Sequence, residues 1–499
     1  MLLIHNEFEK GCYLMPSVKK NSLFNFILVF SNILFPFVSA PYISRVLNIA
    51  DIGLINKGAA LSTLFVNVCS FGLLGYGTRE IARVRDNPQR LQITFSSILF
   101  SHLLIVAMGT FVYVFYTVHF VTDNITKKIY FLYLALLLVS PFTIEWFYTG
   151  LEKFKYISIR SIAIKVLSLV ALFIFVKNKN DFYIYGVLLV LATGLNSLFN
   201  IVHAKKYISL TLKGISLKKV IWDSRYFYLQ TLVAICYQNI NQLILGKDYT
   251  ELAFFVRATT IVTILDIVIS PVMNAVKPRL AYIYASDFSK YSYYVNKTFN
   301  YTFCLAFPCA FGLALLGNNV MYLLGGEQFL RGGPVVSILA LSKIITIIAV
   351  FLNEIISTPS GNEKNTFYSN FAVAIVACIC NPFAIAKFGA IGAASILMLA
   401  ESVGVITHLI LIHKEKLYLH CFSWKKTKYV LAALLMALAL YYIRHSINGI
   451  YMQLIICIPV GAVIYGTLLW LLSKLYDDEI NEVEEIFSLG FHFLKKPRR

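Results

Sequence analysis

Ile52-Gly53-Leu54-Ile55-Asn56-Lys57-Gly58-Ala59 and, 200 positions further on, Leu252-Ala253-Phe254-Phe255-Val256-Arg257-Ala258-Thr259 decide how this 499-residue chain is to be read. Each opens a run of about twenty apolar residues, the length that crosses a bilayer as an α-helix. Each places one cation at the same step, roughly 7–8 Å into the run at 1.5 Å per residue. Lys165 and Lys343 stand inside two further apolar runs. A cation at bilayer depth costs roughly 2.5–3.5 kcal/mol on the insertion scale, so four together require on the order of 10 kcal/mol of compensation. A chain that keeps several interior cations with few acids beside them is suited to receive an anion part-way across the membrane.

The rest of the chain continues the pattern. It is 58% hydrophobic and 14% charged, with a mean hydropathy of +0.71, outside the range of a soluble domain of this length. Apolar runs predict about fourteen spans, beginning near Leu23, Ile52, Leu91, Ile129, Ile157, Phe182, Tyr226, Leu252, Phe299, Val335, Phe367, Ile391, Tyr429 and Tyr451. The thirteenth is short. The expected fold is all-α: a polytopic membrane protein with two pseudo-symmetric six-helix bundles and two C-terminal helices. The expected division is a cytoplasmic tail (1–22), a first bundle (23–203), a cytoplasmic linker (204–225), a second bundle (226–412), a loop with two additional helices (413–475) and a charged tail (476–499).

The formal net charge of +19 would point to nucleic acid in a soluble protein, but its distribution points to topology. With the N-terminus inside, 31 of the 44 Lys and Arg fall in tails and loops on that side, including Lys153, Lys155 and Arg160, and 9 on the other. The remaining four are the interior cations. The positive-inside rule therefore places both termini in the cytoplasm, and nucleic acid is not an expected partner. Leu23 onward continues as a full span without a cleavage site, and Met15-Pro16-Ser17, followed by Lys19-Lys20, reads as a more natural start than Met1. Of nine cysteines, most lie in apolar helices, Cys69, Cys236, Cys304 and Cys378 among them. Neither a disulfide framework nor a zinc site is spaced here, and no metal or cofactor is expected.

The two sixes carry a faint internal repeat, and since six is even, equivalent spans run in the same direction about an axis along the membrane normal. Lys57 and Arg257 would then face one another across a central cleft. Asn25, Asn32 and Ser39 recur every seven residues on one face of the first span, and Gln230, Tyr237 and Asn241 share a face of the seventh. A polar stripe on an apolar helix faces protein or water; two equivalent stripes favour a cavity lining over helix–helix hydrogen bonds. The intramembrane acids are Glu145, Asp266, Glu354 and Glu401. Lys343 and Glu354 are three full turns apart on one face, and Glu401 and His408 share another. Asp266, Glu354, Glu401 and His408 are candidates to carry protons or a coupling cation, with structural ion pairing as the alternative. Asp266 points away from Arg257.

Specific strings then resemble a known family. Pro41-Tyr42-Ile43-Ser44-Arg45-Val46-Leu47, Gly53, Gly72-Leu73 and Tyr76-Gly77-Thr78-Arg79-Glu80-Ile81-Ala82 are similar to the N-terminal signature of the polysaccharide-transporter (Wzx-type flippase) family. Trp146-Phe147-Tyr148-Thr149-Gly150-Leu151-Glu152-Lys153-Phe154, Pro271, Pro278-Arg279, Pro308, Gly312, Leu324-Gly325-Gly326-Glu327-Gln328-Phe329 and Gly361-Asn362-Glu363-Lys364 follow in order. The ordered set spans residues 16–412. Asn241 stands where many relatives have an aspartate, and Ala253-Phe254-Phe255 replaces a usual Gly-x-Tyr. The resemblance implies membership of the multidrug/oligosaccharidyl-lipid/polysaccharide exporter superfamily, alternating access, and transfer of undecaprenyl-diphosphate-linked repeat units from the inner to the outer leaflet of the bacterial cytoplasmic membrane. Membrane lipid and other polysaccharide-assembly proteins are the further partners it implies, and O-antigen, capsule or exopolysaccharide the product.

A lipid diphosphate needs cations and a sugar headgroup needs hydrogen-bonding side chains. Arg45, Lys57, Arg257, Lys343 and Lys165, with Asn32 and Asn241, are the expected substrate contacts, arranged as a ladder from the outer surface to mid-depth. The alternative for each cation is snorkelling or an acid partner. A multidrug or cation exporter of the same fold is the first rival, but organic cations need an acidic cleft. An integral-membrane polysaccharide polymerase is the second, but no loop exceeds about thirty residues and no room is left for a catalytic domain. No phosphate loop ending in Gly-Lys-Ser/Thr occurs, so the chain is read as a transporter and not as an enzyme.

Overall fold

The computed structural model describes residues 18–414 and 423–475. Among them every regular element is helical. The helices are α1 (Val18–Val46), α2 (Ile49–Ser70), α3 (Leu73–Val84), α4 (Pro88–Phe120), α5 (Asn124–Val139), α6 (Glu145–Gly150), α7 (Phe154–Phe175), α8 (Phe182–Ala204), α9 (Leu217–Leu245), α10 (Tyr249–Val262), α11 (Ile264–Ser286), α12 (Phe288–Leu315), α13 (Gly317–Gly325), α14 (Gly333–Phe351), α15 (Glu363–Lys414), α16 (Thr427–His445) and α17 (Ile450–Leu475). A π-helical turn, Leu352–Ser357, prolongs α14. Among the described residues eleven helical stretches are long and apolar enough to cross a membrane, and their outward faces carry exposed residues such as Phe111, Met108, Phe383 and Ile455. In water such continuous apolar surface would aggregate; in lipid it is the solvated face.

The expected eleventh and twelfth spans both lie in α15, whose 52 residues break at Gly389 (φ 56, ψ −133). The chain reverses there. A Cβ on Gly392 would lie 2.2 Å from the Ala384 carbonyl oxygen, Ser369 Oγ donates to the Gly404 carbonyl at 2.8 Å, and Val373, Ala377 and Ala400 pack together. These contacts pair residues symmetrically about the break, as in two antiparallel helices joined by a minimal turn. Only glycine adopts the Gly389 conformation readily. The Ala390 amide freed by the break donates to Glu251 at 2.6 Å. The expected first and seventh spans fall on the 29-residue helices α1 and α9.

The chain forms two compact units. The first joins Phe65–Val176 and Ile184–Thr231 with the chain up to Phe35. Its core is aromatic: Phe95, Trp146, Phe147 and Tyr148 pack with Ile81, Ile98 and Ile144. Gly77 lies under the Trp146 ring and Gly150 against Ile81, where an added Cβ would come within 2.8 Å of side-chain carbons in each case. The Tyr76–Ala82 and Trp146–Phe154 strings therefore meet face to face through their glycines. Ile144, fully buried, is held at φ 31, a strained value for a β-branched residue, and that turn starts α6.

The second unit joins Pro36–Leu64 and Lys177–Tyr183 to the chain from Leu232 onward. Its two last helices are tied to the others by polar contacts at helix ends. Arg444 donates to the Leu315 carbonyl that closes α12 (2.7 Å), and Asn319 donates to Gln453 (2.6 Å). Carbonyls in a last helical turn have no intrahelical partner, so such donors remove a desolvation cost.

Candidate functional site

Three cations of the second unit, Arg45, Lys57 and Arg257, lie where α1 gives way to α2. Arg257, on α10, donates Nη2 to Ser44 Oγ at 2.7 Å, and its guanidinium lies 5.4 Å from the centroid of the buried Phe329 ring. Gln328 donates its amide to the carbonyls of Ser44 and Leu47, the latter at 3.2 Å. Arg45, exposed at the end of α1, bonds the carbonyls of Pro41 (3.3 Å) and Leu323 (2.9 Å). The Pro41–Leu47 and Leu324–Phe329 strings thus meet at one helix terminus, whose orphan carbonyls and negative dipole end attract these donors.

Lys57, on α2, sits 4.9 Å over the Tyr249 ring at the turn from α9 into α10. Gly53 allows this approach: a Cβ there would stand 1.7 Å from the Tyr249 carbonyl oxygen. The two repeat-equivalent cations therefore both lie at the α1–α2 end of one unit, Lys57 on a ring and Arg257 on a hydroxyl.

The other expected contacts are dispersed. Lys165 donates to Ser31 Oγ at 3.2 Å inside the first unit. Asn241 is buried, and its Oδ1 has no hydrogen-bond partner among the described residues. The side chain of Asn32 lies outside the described residues, as do those of Asn25, Gln230 and Tyr237.

Each intramembrane acid of the second unit meets a base or lies near one. Lys343 Nζ stands 2.9 Å from Asp266 Oδ2, and Glu354, on the π-helical turn, pairs with Lys277. Glu401, only 8% exposed, is close enough to Lys343 to feel its charge. His408 Nε2 shares a 2.8 Å hydrogen bond with Ser357 Oγ, which links the twelfth expected span to the π-helical turn. Such turns are frequent at functional positions. Beside α11, α12, α16 and α17 runs an apolar groove of about 530 Å³, lined by Val268, Pro308, Gly312, Met436, Leu440 and Gly461 among others.

Three residues of this polar framework were not singled out from sequence. Nothing in the sequence distinguishes Lys277, and Gln328 enters only as part of the Leu324–Phe329 string. Arg160, counted above with a cytoplasmic loop, is the seventh residue of α7 and buried. It donates to Glu145 (3.2 Å) and to Asn196 Oδ1 (3.2 Å), so its charge is absorbed in helix packing. The signal was present as the acid that opens Glu145–Gly150, but spacing alone does not say that a boundary residue turns inward.

A multi-pass, all-helical membrane protein with interior cations and ion pairs is a transporter-like architecture. The chain belongs to the family described as Polysaccharide biosynthesis protein, whose sequence pattern matches residues 18–283. Among curated relatives, a Shigella dysenteriae protein is 28% identical over 70% of this chain and 88% of its own length. One from Escherichia coli strain K12 is 23% identical over 53% of this chain, and the match spans 65% of that relative. Both bear the name "Putative O-antigen transporter". The fold is shared with the solved lipid II flippase MurJ in its inward closed conformation (TM-score 0.71, 15% identity, 91% of this chain and 99% of that one). An inward-facing multidrug resistance MATE family transporter also superposes (TM-score 0.58, 13% identity, 83% and 97%).

Proposed function

We propose that this protein is a flippase for lipid-linked oligosaccharide repeat units. It moves undecaprenyl-diphosphate-linked units from the inner to the outer leaflet of the bacterial cytoplasmic membrane by alternating access, for O-antigen, capsule or exopolysaccharide assembly. The observation that carries this reading is the matched cation pair, Lys57 and Arg257, set at equivalent steps of two spans in a chain of the polysaccharide family. A diphosphate is the complementary group.

In this reading Lys57, Arg257, Arg45 and Lys165 contact the diphosphate, and Asn32 and Asn241 the sugar. Lys343 joins them only by exchanging Asp266 for a phosphate oxygen. The apolar groove suits a polyprenyl chain, since it offers hydrocarbon surface without polar competition. In the same reading 23–203 and 226–412 are the two repeat halves on either side of the 204–225 linker, both termini and the 203–225 loop are cytoplasmic, and Lys127 and Lys128 lie outside. The membrane potential supplies much of the drive, with Glu401 and His408 tuning the cycle. A charge leaving a negative interior gains roughly 2.3 kcal/mol per 100 mV, so two uncompensated charges gain about 4–5 kcal/mol.

Deletion of the gene is expected to make lipid-linked single repeat units accumulate in the inner leaflet. Units that reach the outer leaflet and stay unpolymerised would instead identify a polymerase. The topology is checked by an impermeant thiol reagent: Cys421, which lies outside the described residues, should stay unlabelled in intact cells.

A further inference from the structure

Two ion pairs of the second unit share one geometry. Asp266 and Lys343 are 77 positions apart, and so are Lys277 and Glu354. An equal offset at both places means that α11 runs in the same direction as α14 and its π-helical turn, the turn itself packing on α11. On each strand of the pairing the two charges are eleven residues apart, three turns on one face and roughly 16 Å along the axis. The order of sign is reversed: acid then base on α11, base then acid on α14. Both pairs close in this one register, and both are lost if either helix slips by a turn.

An ionised carboxylate at bilayer depth needs a counter-charge: a proton, a metal cation or a side-chain cation. The Asp266 side chain is 39% exposed, yet an ammonium already rests on it, with Lys343 itself 18% exposed. Glu354 is similarly half-exposed and similarly occupied. We infer that Lys343 and Lys277 are resident counter-cations, each filling a monovalent-cation site built around a carboxylate, so that Asp266 and Glu354 take up no exchangeable ion. The inference goes beyond the transport reading and concerns what the second unit binds at rest. Lys277 acts on Glu354 alone; Lys343 serves Asp266 and lies beside Glu401 as well.

The test uses the purified full-length protein and its thermal unfolding midpoint, measured at pH 8.5 in sodium chloride against N-methylglucamine chloride at equal ionic strength. The midpoint of the unaltered protein is expected to be the same in both. Lys343→Gln is expected to unfold earlier and to regain its midpoint saturably as sodium is added. Lys343→Gln combined with Asp266→Asn removes the site, and sodium indifference should return. The exchanged pair, Asp266→Lys with Lys343→Asp, keeps an ammonium on a carboxylate and should also be indifferent. Where Lys343→Gln does not fold, Lys277→Gln carries the same expectation at Glu354. Sodium-dependent stabilisation of the unaltered protein, or a folded Lys343→Gln that ignores sodium, overturns the inference. Neither result touches the flippase reading, which stands or falls on accumulation of lipid-linked units in the deletion strain.

Discussion

The segments 52–59 and 252–259 are equivalent in the repeat and unlike in their surroundings. The first packs its backbone so closely that only glycine fits at position 53, and its cation rests on the Tyr249 ring with no hydrogen bond to hold it in place among the contacts found. The second accepts Ala253, buried beside its neighbours, and commits its cation to Ser44 and the Phe329 face. A repeat thus conserves where a charge stands without conserving what it does at rest. In the proposed function Lys57 would offer its ammonium protons to an incoming anion, whereas Arg257 would have to release a hydroxyl, or share its fork, to take one. On that proposal Arg257, bonded to Ser44, is the residue that would couple anion arrival to the end of α1.

The largest effect is expected at Arg257. Arg257→Ala should abolish surface polysaccharide while the protein still inserts, and should also lower the unfolding midpoint, because a hydrogen bond to a charged group contributes roughly 1.5–3 kcal/mol. Lys57→Ala should abolish export as well but cost less stability, about 0.5–1 kcal/mol for the lost cation–π contact. The two variants are compared by capsule or O-antigen staining and by thermal unfolding of the purified proteins. Normal export from either would remove that rung of the ladder; equal destabilisation would erase the contrast drawn here.

Gly53→Ala comes next. The added methyl meets backbone, which cannot swing aside as a side chain would, so α2 has to move away from the turn before α10. Overpacking of this kind costs about 1–3 kcal/mol, seen as a lower unfolding midpoint. The reciprocal change, Ala253→Gly, removes a methyl from a helix interior and should cost only about 1 kcal/mol. If the two substitutions cost the same, the close approach at Gly53 is not what distinguishes the repeats.

Much of this contrast was legible in advance, and the reasons are physical. Bilayer thickness and backbone hydrogen bonding leave a twenty-residue apolar run little choice but a helix, so the all-α fold and most spans followed from hydropathy. The matched positions of Lys57 and Arg257 followed from simple alignment of the halves. What those cations touch did not follow, because Ser44, Tyr249 and Phe329 are brought to them by tertiary packing between distant segments. Lys343 and Glu354 were correctly placed on one face, yet their partners, Asp266 and Lys277, sit on another helix at an offset that single-helix periodicity cannot reveal. Arg160 reads as a loop residue from sequence because charge at a span boundary is usually solvated; only the neighbouring helices show that it turns inward.

The smallest effect is expected for Lys57→Arg, and it is the sharpest probe of the comparison. A guanidinium is as cationic as an ammonium, stacks well over an aromatic ring, and offers more donors to a phosphate. The side chain has room to vary along its length, since its contact with Tyr249 is to a ring face at 4.9 Å and not to a fixed acceptor. Export should therefore remain near that of the unaltered protein. Arg257→Lys is the counterpart: it keeps the charge but gives up the planar fork that serves Ser44 while facing Phe329, and should reduce export several-fold. Measured side by side, a tolerated Lys57→Arg with an impaired Arg257→Lys would mean that charge suffices at one position and geometry is needed at the other. The reverse order, with Lys57→Arg impaired and Arg257→Lys tolerated, would show that the compact ammonium on the Tyr249 ring is the committed contact and that the roles assigned to the two halves have to be exchanged.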